Sequence, residues 1–144
     1  MAHIYADIEV IGSRGRKTLE KILIDTGATF TVLPKEIIDE IGAIKIPVEP
    51  IEVELGDGRR IKAELYSIGI KFRSREGGTI AISFPGAKLV IGIRTLEDLG
   101  LKPNPITGEI EEERPPGVAY FYHIYRTMSR NLVSNIYENI VADM

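Results

Sequence analysis

Asp25, Thr26, Gly27 and Ala28 follow directly on the apolar run Ile22-Leu23-Ile24. This order sets one carboxylate at the end of a buried strand, in a tight turn that glycine permits. A carboxylate held there can take a proton from water or give one to a reacting group, but a single one cannot do both at once. The motif occurs once in 144 residues. The chain therefore carries half of such a site, and a second copy is expected to supply the other half. Composition narrows the competing routes. The absence of cysteine removes thiolate nucleophiles, thiolate metal sites and disulfides together. His3 and His123 are the only imidazoles and stand far apart in the chain, so neither a metal nor another cofactor is expected.

The elements that must position Asp25 are legible as alternations. Ile4, Ala6, Ile8 and Val10 alternate with Tyr5, Asp7 and Glu9, and Thr18 to Ile24 follows a Gly12-Ser13-Arg14-Gly15 turn. Together they read as a hairpin running into Asp25. The basic residues Arg14, Arg16 and Lys17 do not form a phosphate-binding loop, because the required glycine spacing is missing. Phe30 to Leu33 is a short strand stopped by Pro34, which suits the first turn of a helix over Lys35 to Ile41, ending at Gly42. Ile51, Val53 and Leu55 alternate with glutamates, Gly56-Asp57-Gly58 follows, and Ile61, Ala63 and Leu65 continue the pattern. This predicts a second hairpin with a light, glycine-rich tip able to move.

Further strands are expected at Ile68 to Phe72 and Thr79 to Phe84, joined by a Gly77-Gly78 turn. Lys88 to Gly92 reads as a buried strand. Thr95 is expected to cap a short helix, Leu96 to Leu99, closed by Gly100. Lys102 to Gly108 reads as a connector, and the glutamate-rich stretch Glu109 to Glu113 as a solvated edge strand whose charge discourages aggregation. Beyond Pro115-Pro116-Gly117, the residues Phe121, Tyr125, Met128, Leu132, Ile136 and Ile140 recur at helical spacing. The chain thus divides into a β-rich domain, 1–114, and an amphipathic helical extension, 115–144. The leading expectation is that the extension packs on the body or on a partner subunit, with His123 as a packing or surface residue. The alternatives are that it covers the functional cleft or is trimmed off.

The hydrophobic fraction of 44% and charged fraction of 27% fit a globular protein with its own core. A net charge of -3 argues against nucleic acid or acidic membranes as general partners. The first residues lack the pattern of a signal peptide, and no apolar run is long enough to span a bilayer. A cytoplasmic location is the expectation.

The ordered set of a hydrophobic strand, Asp25-Thr26-Gly27-Ala28-Thr29, Pro34, a glycine-tipped hairpin and a Val90-Ile91-Gly92 strand feeding a helix resembles the retropepsin-like aspartic proteases. These are the single-lobed, dimeric relatives of pepsin. The resemblance covers roughly Ile4 to Glu113. The segments Thr95 to Leu101 and Pro105 to Gly108 are similar to the prokaryotic branch of that family rather than to its viral enzymes.

The resemblance implies an all-β fold: a closed, single-lobed barrel of the acid-protease type with one short helix. It implies a homodimer that hydrolyses peptide bonds in peptides or unfolded proteins, with water activated between two Asp25 carboxylates. In that family the two carboxylates share one proton, because like charges held close disfavour double ionisation. Thr26 matches the threonine that bonds across the two-fold axis. Gly27 and Ala28 match the small residues that let a substrate backbone lie close, Thr29 continues the loop, and Gly92 matches the glycine packed behind it. Gly56, Asp57, Gly58 and Arg59 match the flap that closes over substrate.

Two departures bear on function. Viral members carry an aspartate where Thr29 stands and an arginine directly after the glycine matching Gly92; here Ile93 intervenes before Arg94. The viral ion pair is therefore not carried over. The tip is also charged where viral tips are apolar, so Arg59 or Arg60 is expected to favour acidic residues flanking the cleaved bond, and Asp57 reads as a turn residue. The alternative is a dimeric peptide-binding or scaffold module that kept the fold without the activity. The intact Asp25-Thr26-Gly27 favours the enzyme.

Overall fold

A computed structural model describes residues 3–121. The expected amphipathic helix, from Tyr125 through Ile140, and His123 lie outside the described residues. Phe121, its expected first apolar position, is in irregular chain and 88% exposed.

The strands are β1 (Ile4–Ile11), β2 (Arg16–Asp25), β3 (Thr31–Val32), β4 (Ile44–Lys45), β5 (Ile51–Glu54), β6 (Arg60–Phe72), β7 (Arg75–Ser83), β8 (Val90–Gly92), β9 (Leu101–Asn104) and β10 (Glu109–Glu112). Two short helices, α1 (Lys35–Ile41) and α2 (Ile93–Asp98), complete the described elements. Six strands close on themselves in the order β1-β2-β8-β3-β7-β6, with β6 returning to β1 through the pairs Glu9↔Lys71 to Ile11↔Gly69. Closure removes the edges that an open sheet of this size would expose. The β2–β8 and β3–β7 pairs are parallel and the other four are antiparallel. The molecule is thus a mostly β, closed barrel. It carries two short helices, as the local signals predict, where the family resemblance implied one. Pro34 opens α1 and Gly42, at φ 69°, stops it after Ile38 and Ile41 are buried.

Strand β2 owes its route to a bulge. Ala6 pairs with Ile22 but Ile8 with Leu19, so β2 carries one extra residue there. Lys21 takes up the strain at φ 53°, and its amide is bound by the Asp7 carboxylate at 2.9 Å. In a regular strand Leu19 and Ile24 would face opposite sides; with the extra residue both reach the core. Asp25 then emerges on the other face.

The sheet buries both faces. The main core holds Val10, Leu33, Ile70, Ala81, Ile91 and Leu96, while Val32, Ala63 and Ile82 form a second cluster flanked by Phe30, Val53, Leu65 and Val90. This explains why β6 reads as two strands in the sequence. Its odd positions Ala63 and Leu65 join the second cluster, whereas Tyr66, Ile68, Ile70 and Phe72 join the first. The face that is buried changes at Leu65-Tyr66, with no break in the strand.

Gly77 and Gly78 lie within β7, not in a turn; the chain reverses at Arg73-Ser74, with Arg73 at φ 56°. Glycine serves contact at Gly77, where a Cβ would come within 3.2 Å of Leu99 Cδ2. The Lys102-to-Gly108 stretch is not only a connector: β9 begins at Leu101 and pairs with the expected edge strand β10, through Glu112↔Leu101.

Arg75, 8% exposed, ties this second hairpin to the barrel. Its Nη1 donates to the carbonyls of Leu99 at 2.8 Å and Arg114 at 2.7 Å, and its Nη2 meets Glu112 at 3.3 Å. Arg114 in turn donates to the carbonyls of Glu97 and Asp98 at 3.1 and 3.2 Å. Two guanidinium groups thereby satisfy carbonyls at the end of α2, where cations are favoured. Arg75→Met is expected to lower unfolding free energy by about 2–4 kcal/mol, because buried carbonyls lose a charged donor. Urea denaturation measures it, and an unchanged midpoint would refute this role.

Candidate active site

Asp25 is the last residue of β2 and stands opposite Gly92, the last of β8, in their parallel ladder. After Asp25 the chain folds over itself. The Ala28 amide donates to the Asp25 carbonyl at 3.0 Å, and the Gly27 amide donates to the Asp25 carboxylate at 2.9 Å. Aspartate favours such a turn because its side chain substitutes for a backbone acceptor. A Cβ on Gly27 would lie 3.2 Å from that carboxylate oxygen, so the position suits a bare backbone.

The far side of the loop is held by α2. A helix of any length starts with amides that lack internal partners. Here the Ile93 and Arg94 amides donate to the carbonyls of Ala28 and Thr29, at 2.9 and 3.0 Å. Gly92 allows the approach: a Cβ there would lie 2.3 Å from the Phe30 carbonyl carbon. Gly92 is also the N-cap, so Thr95 falls inside α2 rather than before it.

Thr95 has a different task from the expected cap. Its hydroxyl lies 2.6 Å from that of Thr31 and 2.9 Å from that of Thr79, and Thr79 donates to Asp98 at 2.9 Å. Thr31 also accepts the Gly92 amide at 3.1 Å. Thr31 and Thr95 are essentially inaccessible to solvent, so this chain of hydroxyls satisfies polar groups that burial would otherwise penalise. It fastens β3, β7 and β8 to α2 directly beneath the Asp25 loop. Arg94 lies over the Phe30 ring at 5.8 Å and reaches Asp98 at 4.0 Å.

In front of Asp25 opens a cleft of about 1060 Å³. Asp25, Gly27, Ala28 and Thr29 line it on one side, and the β5–β6 hairpin from Ile51 to Gly56, with Arg59, lines it on another. The second hydrophobic cluster supplies Val32, Ile82 and Val90 to its wall. Of the site residues expected from the sequence, Thr26 and Gly92 do not face this cleft: Thr26 is exposed at the loop and Gly92 is buried behind it. Gly56 and Arg59 face it, whereas Asp57 and Gly58 form the turn.

The hairpin tip is built by that turn. Gly58 donates to the Leu55 carbonyl at 2.9 Å and adopts φ 87°, a conformation that requires glycine. Asp57 accepts the Arg59 amide at 3.0 Å and its Nε at 2.7 Å. The Arg59 amide, and then its guanidinium, hold the Asp57 carboxyl below the usual carboxylate range. The pairing is therefore retained at mildly acidic pH and lost only as pH falls through that depressed value. A Cβ on Gly56 or Gly58 would meet nothing within 4 Å, so the tip stands clear of the body.

Sequence reasoning missed the Phe84-Pro85-Gly86 turn and Lys88, which form another wall of the cleft. The signal available was a proline-glycine turn immediately before the strand that ends at Gly92. Among the described residues no group of three or more histidine, aspartate or glutamate side chains is placed to hold a metal ion, and no helix is long and apolar enough to cross a membrane. No protein-family model matches the chain, and no curated protein matches it.

Proposed function

We propose that this chain is one half of a homodimeric aspartic endopeptidase of the retropepsin-like kind, acting on peptides or unfolded proteins. The observation that carries the reading is the position of Asp25. Its carboxylate accepts the Gly27 amide and lines a large cleft beside a glycine-tipped hairpin. A second copy related by a two-fold axis running beside Asp25 brings an identical carboxylate to the same place, since residues at an isologous axis meet their own copies. Thr26, exposed at the loop, is the residue for contact across that axis.

In this mechanism the two carboxylates keep one proton between them. The ionised one takes a proton from water as the water oxygen adds to the scissile carbonyl, and the protonated one donates to the carbonyl oxygen. Proton delivery to the nitrogen then accompanies cleavage of the C–N bond. The substrate binds extended, its alternate side chains meeting the apolar wall of Val32, Ile82 and Val90. The β5–β6 hairpin closes over it and excludes water.

The test is digestion of an unfolded protein near pH 5, with and without pepstatin, across a dilution series. Cleavage should be blocked by the inhibitor, and specific activity should fall as dimers dissociate. Pepstatin-insensitive cleavage, or none at any concentration, would overturn the reading.

A further inference from the structure

Among the described residues, five charged side chains line the cleft: Asp25, Glu52, Glu54, Arg59 and Lys88. Three of them are already paired within the chain. Arg60 meets Glu52 at 3.8 Å and Glu54 at 3.5 Å, and Arg59 meets Asp57 at 2.7 Å. The two flap arginines are therefore engaged with their own hairpin, which weakens the expectation that they read the substrate. Lys88 forms no ion pair with any described residue.

The location of Lys88 is set by the fold. Ala87 donates to the Phe84 carbonyl at 3.0 Å, and Gly86 adopts φ 76°, so Phe84 to Ala87 is a closed turn. Lys88 leaves that turn two residues before Val90, whose ladder partner is Leu23 on the strand that ends in Asp25. Lys88, an exposed residue that carries an ammonium group, thus lines the cleft on the segment leading into the strand beside the one that ends in Asp25. A peptide that fills the cleft with neutral side chains strips water from this ammonium without replacing it, which is unfavourable. A carboxylate side chain on the peptide supplies the missing partner.

We propose that Lys88 is a specificity-determining residue that selects peptides carrying an aspartate or glutamate near the centre of the bound segment. This rests on the cleft being a peptide site, as in the function proposed above. It differs from that reading in that it concerns which peptide is held, not whether it is cut.

The test uses binding, so that it does not depend on turnover. Fluorescent decapeptides identical except for glutamates or glutamines at the central positions are titrated at pH 6.5 against the Asp25→Asn protein by anisotropy. The glutamate peptide should bind about threefold to fivefold tighter, the range of a solvent-accessible ion pair. Adding Lys88→Gln should abolish the difference, and Lys88→Glu should shift preference to a lysine peptide. Equal affinity for the two peptides, a preference that survives Lys88→Gln, or no binding of either peptide would each overturn the proposal. The two readings fail separately. Selective binding without cleavage by the unmutated protein removes the endopeptidase and leaves Lys88 standing, while cleavage without selectivity does the reverse.

Discussion

Asp25→Asn is expected to lower peptide hydrolysis by roughly a hundredfold to ten-thousandfold, the loss typical of removing a general acid–base group. In a dimer it removes both carboxylates at once, so neither the base that activates water nor the acid that protonates the carbonyl oxygen remains. The fold should be unaffected. Among the described residues the carboxylate accepts a single hydrogen bond, from the Gly27 amide at 2.9 Å, and an asparagine oxygen can accept the same bond. The β2–β8 ladder beside it is made by backbone groups. Initial rates on a pepstatin-sensitive substrate, paired with thermal melting, separate the two effects. Lost activity with an unchanged melting curve is the expected result, and retained activity would exclude Asp25 from the chemistry.

Gly92→Ala should be strongly damaging, and it should act through the fold. The added Cβ would sit 2.3 Å from the Phe30 carbonyl carbon, 2.4 Å from its oxygen and 2.8 Å from its Cα. All three are backbone atoms, so no rotamer change relieves the clash, and β3 or β8 must move. Overpacking against rigid neighbours costs about 3 kcal/mol or more. The displacement also reaches the Asp25 loop, because Gly92 is the ladder partner of Asp25 and its amide donates to the Thr31 hydroxyl. Gly78→Ala is the matched control. It lies in β7 with nothing within 4 Å of its added Cβ, and its stability should change by less than about 0.5 kcal/mol, as surface substitutions usually do. Chemical denaturation of the two variants side by side reads both expectations. Equal losses would mean that the packing behind the loop is not what distinguishes them.

The Asp25 loop was legible because its signals are local: an apolar strand, then residue types that make a tight turn. The hairpins were legible for the same reason, as was α1 between Pro34 and Gly42. Errors arose where burial depends on distant partners. The strand β6 reads as two because its inward face changes from Leu65 to Tyr66, a switch set by which cluster lies behind each half. Gly77 reads as a turn residue because the closeness of Leu99, twenty-two positions later, leaves no trace in the local pattern. Thr95 has the residue type of a helix cap, yet its partners Thr31 and Thr79 come from other strands. Lys88 is an ordinary exposed lysine until the fold places it on the cleft, where Glu52, Glu54 and Arg59 are already paired.

The central claim is that one Asp25 does nothing alone and that two of them make the site. Mixing the unmutated protein with Asp25→Asn, after unfolding and refolding the two together, tests this most directly. Random pairing into two-fold dimers joins about half of the unmutated chains to an inactive partner at equal mixing. Activity per unmutated chain should then fall to about half and continue downward as the variant is added in excess. Activity that stays proportional to the amount of unmutated chain, whatever the excess of variant, would contradict a shared site.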